Sequence, residues 1–471
     1  MSHVKTFTRF CLRASGFSAR QTFKSIAKHY ICSSRDLQLE NTLQQLDNAF
    51  CYEPHYIHKF QKYIKPGDSF SLTDDFEDTH CIRITSNGET TFRSAFGLID
   101  RDDDDPYPFE REDFCIIRLI RVALLEPERG IALITLQGGD AKRTLKLMLE
   151  LLRDDDYWTK KVPDIPCSDR DIFLPPLFLQ LGRRVAKLPS TLLRPAESLT
   201  AQRAPFAYGS SAYVYKGQLD NIPVALKHPR YDTSMPEDTQ DVQEEYTRRE
   251  CLMWSPLCHP NIIQLQGIND NFFNGAPCMI SPLLDELLKI IKASRRKGEY
   301  PETAQLNNWI LDISAGLAYL HSRRIIHGDL RADNVLVDKN DVALVADLGL
   351  AFFADPNSWL PNFEAVDGQP SPWHAPELKD SLDRSRPLER TFATDVFAFG
   401  CVCLEIYTSH PPFENRKSDK TVDLRPTTPL GQTMDERLWE IIGSCLSDSP
   451  TDRPTMVEVF KMISLLASEW S

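Results

Sequence analysis

Apolar residues fall into segments of different period along this chain. Phe23, Ile26, Ala27, Tyr30 and Ile31 recur at helical spacing opposite Arg20, Lys24 and Lys28, which predicts a basic amphipathic helix. Strand-like runs at His80 to Ile84 and Thr90 to Arg93 flank Asn87-Gly88, a pair suited to a tight turn, and predict a hairpin. Leu145, Leu147, Met148, Leu151 and Leu152 mark an amphipathic helix after Gly138-Gly139. Residues 153–200, rich in Pro and charge, read as a connector packed by Phe173, Leu174, Leu177 and Phe178. Beyond residue 201, strand-like segments lead into an acid-rich helix that begins near Gln240 and packs through Leu252, Met253 and Leu257. Further on, two short β-rich runs flank the polar turn Asp338 to Asp341 and predict a second hairpin.

Composition narrows the class. With 471 residues, 42% hydrophobic and 26% charged, the chain can bury full cores in two or three domains without metal or disulfide staples. Fifty-four Lys and Arg against 67 Asp and Glu give a net charge of -13, which disfavours nucleic-acid binding by general charge attraction. The longest uncharged stretches, such as Phe397 to Leu404, are too short for a membrane span. Twelve cysteines without a C-x-x-C pair read as thiols in a reduced compartment, with Cys401 and Cys403 as packing residues, so a cytoplasmic location is expected. The first 35 residues hold seven Lys or Arg and no acid, which fits a mitochondrial targeting segment or a docking helix. The acidic run Asp102 to Asp105 reads as a solvated loop. Residues 36–200 show no catalytic constellation, and their expected role is contact with a regulatory partner.

The second half carries the candidate chemistry. Around Ala207, Gly209, Ala212 and Val214, a small-residue turn between two strands would let backbone N–H groups approach a phosphate chain. The following strand holds Ala225 and ends at Lys227, whose ammonium needs an anion once buried. Glu250, on the acid-rich helix, is the candidate partner, an exposed helical glutamate being the alternative. In Ile325-Ile326-His327-Gly328-Asp329-Leu330-Arg331-Ala332-Asp333-Asn334-Val335-Leu336-Val337, the hairpin that follows returns the chain to its start at Ala346-Asp347-Leu348-Gly349. Asn334 and Asp347 therefore lie at one open end, where oxygen donors can share a hard divalent cation, and Asp329 is within reach.

These motifs, in this order, resemble a protein kinase catalytic domain. Ala207 to Val214 matches the Gly-rich loop, Lys227 the strand lysine and Glu250 its helix partner. His327-Gly328-Asp329-Leu330 to Asn334 matches the catalytic loop, Asp347-Leu348-Gly349 the D-F-G motif and Ala375-Pro376-Glu377 the A-P-E motif. Asp395 matches the family's buried aspartate, and Arg453 its late arginine that pairs with the A-P-E glutamate. Trp254, His259-Pro260-Asn261-Ile262 and Asp-Leu-Gly are most similar to the tyrosine-kinase-like group, especially fungal forms with His-Gly-Asp-Leu.

The resemblance implies an α+β, bilobal fold over residues 201–471, with an antiparallel β-sheet lobe and a helical lobe, after a separate mixed α/β region at 36–200. It implies ATP and Mg2+ as cofactors and a protein hydroxyl as substrate, with Ser/Thr favoured over Tyr and a catalytically weak scaffold as the remaining alternative. Lys227 would hold phosphates, Asn334 and Asp347 the metal, and Asp329 the acceptor hydroxyl. Adenine would lie among Val214, Ala225 and Leu336, with hinge contacts from Pro282, Leu283 and Leu284 and a small Ser281 at the back.

Several positions depart from the family. Ala207 and Ala212 replace two loop glycines, and Gly328 replaces the arginine that in the family meets a phosphorylated activation segment. Arg331 stands where Ser/Thr kinases usually carry lysine, and Asp347 to Glu377 holds Ser358 and Ser371 but neither Thr nor Tyr. Switching is therefore expected to be independent of phosphate on that segment.

Overall fold

The computed structural model describes residues 69–76, 79–86 and 89–94, scattered positions of 116–136, and 138–469 apart from 164, 187, 209–211, 231–236, 274–275, 355–370, 380–389 and 414–424. The basic N-terminal segment, the acidic run at 102–105, Gly209 and Ser358 lie outside the described residues. The chain divides into two compact units, one of residues 1–151, 156–166 and 180–185, the other of 152–155, 167–179 and 186–471. Among the described residues, no helix is long and apolar enough to cross a membrane.

In the first unit, β1 (Ser69–Phe76), β2 (Thr79–Ser86) and β3 (Glu89–Ser94) form an antiparallel sheet with β2 in the middle. Pairing of Ser86 with Glu89 closes the predicted hairpin around a two-residue connection. The predicted helix is α1 (Gly138–Arg153), with Ala141, Leu145, Met148 and Leu149 buried along one stripe.

The expected connector is largely helical: α2 (Asp155–Lys161) is followed by α3 (Cys167–Arg184), which contains Pro175 and Pro176. Two prolines and many charges suggest a loop, but Leu174, Leu177, Phe178 and Leu181 keep helical spacing, and that period prevails. Leu174, Leu177 and Phe178 are buried as expected, whereas Phe173 is exposed at the edge of the stripe they form on the same helix.

The second unit holds a curled antiparallel sheet in the order β4 (Leu199–Ala201), β6 (Ala212–Leu219), β7 (Ile222–Pro229), β9 (Ala276–Pro282), β8 (Gly267–Phe273), with β5 (Ala207–Tyr208) paired to β6. Leu199, Val224, Leu226, Cys278 and Ile280 form its core. The acid-rich helix, α4 (Glu237–Trp254), packs against β9.

Two further helices, α5 (Leu287–Arg296) and α6 (Thr303–Ser322), begin the helical lobe. The strands β10 (Asp285–Glu286), β12 (Val335–Val337) and β13 (Ala343–Val345) form a small sheet, and β11 (Ile325–Ile326) pairs with β14 (Phe352–Phe353). After the short α7 (Pro376–Lys379) comes α8 (Phe392–Thr408), apolar on every side and buried along most of its length, Cys401 and Cys403 included. Thr391 and Thr394 cap it reciprocally, as Thr455 and Glu458 cap α10 (Met456–Ala467) after α9 (Glu436–Cys445).

Candidate active site

A cleft of about 670 Å3 lies between the curled sheet and the helical lobe. Antiparallel register pairs Val214 with Ala207 on one side and with Lys227 on the other, and Ala225 lies two residues before Lys227 on the same face. All four line the cleft, with Ala212 and Phe206 above and Leu336 among the residues below. Along the segment that joins the lobes, Ser281, Pro282 and Leu284 line the cleft and Leu283 does not. The hinge contact expected of Leu283 is one of its backbone, which does not require its side chain to face the cleft. Between β9 and β10 the backbone is irregular, so strand alternation does not fix which leucine faces inward.

Behind this wall, Lys227 Nζ donates to Glu250 Oε1 and to Asp347 Oδ1, each at 2.7 Å. Burial alone would drive the ammonium towards neutrality. The two carboxylates outweigh that cost and hold its pKa well above the ordinary range. Burial raises the Glu250 carboxyl against the pull of Lys227, whereas Lys227 holds Asp347 below the usual carboxylate range. Gly349 follows closely: a Cβ there would sit 3.2 Å from Asp347 Oδ1 and 3.6 Å from Glu250 Oε2. Arg249, next to Glu250, donates Nη2 to the Ala351 carbonyl and so ties α4 to the chain just after Asp347.

The loop below the cleft hangs from one buried carboxylate. Asp395, on α8, accepts the amides of His327 at 2.7 Å and Gly328 at 2.9 Å, and its Oδ2 is 3.0 Å from His321 Nε2. His327 Nδ1 accepts the Asp329 amide, so its Nε2 carries the proton donated to the Ala346 carbonyl at 3.0 Å. These bonds place Asp329 and Asp347 in the same cleft. Asn334 Nδ2 donates to the Asp329 carbonyl at 2.8 Å and to its Oδ2 at 3.3 Å. The Asn334 carbonyl accepts the Ala346 amide at 2.9 Å, which closes the predicted hairpin beside Val335 and Val345 and leaves Asn334 and Asp347 at its open end. Burial pushes the Asp329 carboxyl up, and nearby Asp347 adds to the effect.

Trp254, Phe206 and Asp333 are among the cleft residues not singled out for it by sequence. Trp254 lines the back and donates Nε1 to the Ile263 carbonyl at 2.6 Å. Phe206 immediately precedes β5 and the small-residue turn, where an aromatic is an ordinary core signal. Asp333 pairs with Arg331, whose guanidinium lies 4.4 Å from the Trp373 ring centre. Glu377 and Arg453 form a two-pronged pair at 2.7 and 2.8 Å.

Oxygen donors remain at the floor of the cleft. Asp347 uses Oδ1 for Lys227 and the Gly349 amide, and Asn334 uses Nδ2 for Asp329. Asp347 Oδ2 and Asn334 Oδ1 have no hydrogen-bond partner among the described residues, and this donor set suits a hard divalent cation.

The family described as protein tyrosine and serine/threonine kinase matches residues 202–463. Mitogen-activated protein kinase kinase kinase 3 of Arabidopsis thaliana is 28% identical over 48% of this chain and 37% of its own length. Probable serine/threonine-protein kinase kinX of Dictyostelium discoideum is 30% identical over 53% of this chain and 22% of its own. Mitogen-activated protein kinase kinase kinase 10 of Xenopus laevis is 25% identical over 71% and 33%. The chain thus spans between 22% and 37% of the length of these relatives.

Proposed function

The chain belongs to the protein tyrosine and serine/threonine kinase family, which matches more than half its length, and from that premise we propose that it transfers the γ-phosphate of ATP, with magnesium, to Ser or Thr hydroxyls of a protein. The observation that carries this reading is the juxtaposition in one cleft of the Lys227–Glu250–Asp347 cluster and the Asp329–Asn334 pair. Phosphoryl transfer asks little covalent chemistry of the protein and depends on positioning and charge stabilisation.

Val214, Ala225 and Leu336 offer an apolar slot for the adenine base. Lys227, held in place by Glu250, binds phosphate oxygens. Asn334 and Asp347 would hold magnesium, which when bound neutralises charge on the phosphates. Asp329 orients the acceptor hydroxyl and takes its proton at a carboxylate oxygen, while Asn334 fixes that carboxylate from the side. Arg331, kept at the cleft by Asp333 and the Trp373 ring, adds positive charge beside Asp329.

The printed name of the Dictyostelium relative supports Ser/Thr over Tyr as acceptor. Asp-Leu-Arg-Ala-Asp-Asn at 329–334 favours tyrosine as the second reading. Incubating the full chain with ATP, magnesium and a library of Ser, Thr and Tyr peptides tests both. Transfer to Ser and Thr, lost in Asp329→Asn, is expected. Predominant phosphotyrosine refutes the acceptor class, and an undiminished Asp329→Asn variant refutes the role of Asp329.

A further inference from the structure

Helix α4 carries Glu250 to Lys227, yet its own last turn holds no basic residue to face the carbonyls that form its negative end. A cation from 102 positions earlier stands there instead. Arg153, the last residue of α1, donates Nε to the Ser255 carbonyl at 2.7 Å. Ser255 is fully buried and continues the helical bonding past Trp254, its amide meeting the Cys251 carbonyl at 2.9 Å. Cys251 follows Glu250 directly, so the arginine grips α4 about one turn beyond the ion pair with Lys227.

The same short loop is held from a second side. Cys258 donates its amide to the Tyr319 hydroxyl of α6 at 3.0 Å, and the Arg323 guanidinium lies 5.2 Å from the centre of the Tyr319 ring. Arg323 in turn pairs with Asp171 of α3 at 2.7 Å, both side chains largely shielded from solvent. Arg170, whose side chain is fully buried, ties the two attachments together. Its Nε donates to Asp171 at 2.7 Å and its Nη2 to Asp155, two residues after Arg153, at 2.6 Å. Residues 152–155 and 167–179 belong to the same compact unit as the cleft, so all of these contacts lie within it. Removing one member of such a shielded network leaves another charge or carbonyl without its partner, which is what makes the network hold its shape.

We propose that Arg153 is a positioning residue for phosphoryl transfer: with Arg170 and Asp171 it forms a clamp, built into the chain ahead of the curled sheet, that holds the end of α4 so that Glu250 stays on Lys227. The clamp closes on residues 255–258, directly at the Ser255 carbonyl and through Arg323 and Tyr319 at the Cys258 amide. Without it α4 can draw Glu250 back, leaving the ammonium to Asp347 and loosening its hold on phosphate oxygens. A stretch expected to serve a partner thereby serves the chain's own cleft. The inference rests on the reading that Glu250 holds Lys227 in place for ATP.

Amide hydrogen exchange and steady-state kinetics on the full chain test it, comparing wild type with Arg153→Met, Arg153→Lys and Glu250→Gln. Methionine keeps much of the packing and removes the charge; lysine still brings a cation and a donor to the end of α4. One charge-assisted hydrogen bond at a helix end sets the scale, so Arg153→Met should speed exchange at 244–254 about tenfold and lower kcat/KM for ATP about as much. Exchange in α8 should stay as in wild type, and Arg153→Lys should recover most of both losses. In Glu250→Gln the ion pair is already gone, so adding Arg153→Met should cost far less in kcat/KM than it does in wild type. Unchanged exchange at 244–254, an equal rise in α8, or equal losses in the Met and Lys variants each overturns the proposal. So does a full loss on top of Glu250→Gln. A wild type that transfers no phosphate removes instead the reading of the cleft, and the exchange comparison then still decides whether the clamp exists.

Discussion

Glu405 lies inside the helical lobe at 1% exposure, where its Oε2 accepts the Trp373 indole N–H at 2.9 Å and the Ala332 amide at 3.2 Å. It therefore joins α8 to the catalytic loop and to the chain before α7. Burial pushes its pKa up to about 7 from an ordinary 4.5, because two neutral donors do not replace the water a carboxylate loses. A raised acid binds its proton more tightly in the folded state. Its contribution to stability is complete below pH 4.5 and is lost as pH rises through about 7. At about 1.4 kcal/mol per pH unit, the swing is on the order of 3 kcal/mol. Glu405→Gln keeps a carbonyl to accept both donors and cannot ionise, so it should remove this swing and little else. Urea unfolding of wild type and variant at a series of pH values, from about pH 4.5 to about pH 8, isolates the effect, since every other titrating group is common to both. Wild type should lose stability relative to the variant as pH rises across that window. Parallel stability curves would refute the argument, and so would a wild type that gains on the variant with pH.

Other outcomes follow from packing and pairing. Arg453 has a fully buried side chain and gives five hydrogen bonds, two to Glu377 and three to the carbonyls of Ser447, Ala393 and Asp448. Arg453→Ala should cost about 3–5 kcal/mol in calorimetric stability, and a loss below about 1 kcal/mol contradicts the pairing. Gly316 in α6 meets the Asn261 carbonyl oxygen 2.5 Å from a built Cβ, whereas Gly443 in α9 meets nothing within 4 Å. Gly316→Ala should therefore destabilise by about 1–3 kcal/mol despite alanine's helix preference, and Gly443→Ala should stabilise by up to about 1 kcal/mol. Leu284→Ala should raise KM for ATP more than Leu283→Ala, because Leu284 lines the cleft and Leu283 does not; the reverse order would refute this reading of the lining.

The parts of the site legible in sequence are those in which local pattern and chemistry coincide. The two β-rich runs around Asp338 to Asp341 dictate a hairpin, and a hairpin must bring Asn334 and Asp347 together. A lysine largely buried on an apolar strand requires an anion, and Glu250 is one of the two it has. Where the backbone is irregular that logic stops, as it does at Leu283 and Leu284. In α3 the Pro175-Pro176 pair masked a helical period that Leu174, Leu177 and Phe178 carried all along. The crowding around Gly328 was illegible for another reason: Arg390, whose Cδ a Cβ built there would meet at 3.0 Å, is 62 positions away in sequence.

The suspension of the catalytic loop from Asp395 also makes it a gauge. The amide protons of His327 and Gly328 are held by a carboxylate 2% exposed on a helix buried along most of its length. Such protons exchange with solvent only when the surrounding structure opens, so their exchange rates report the opening free energy of the helical lobe rather than the fluctuations of a surface loop. Two amides at the centre of the chemistry thus carry a direct reading of how often the lobe beneath them comes apart.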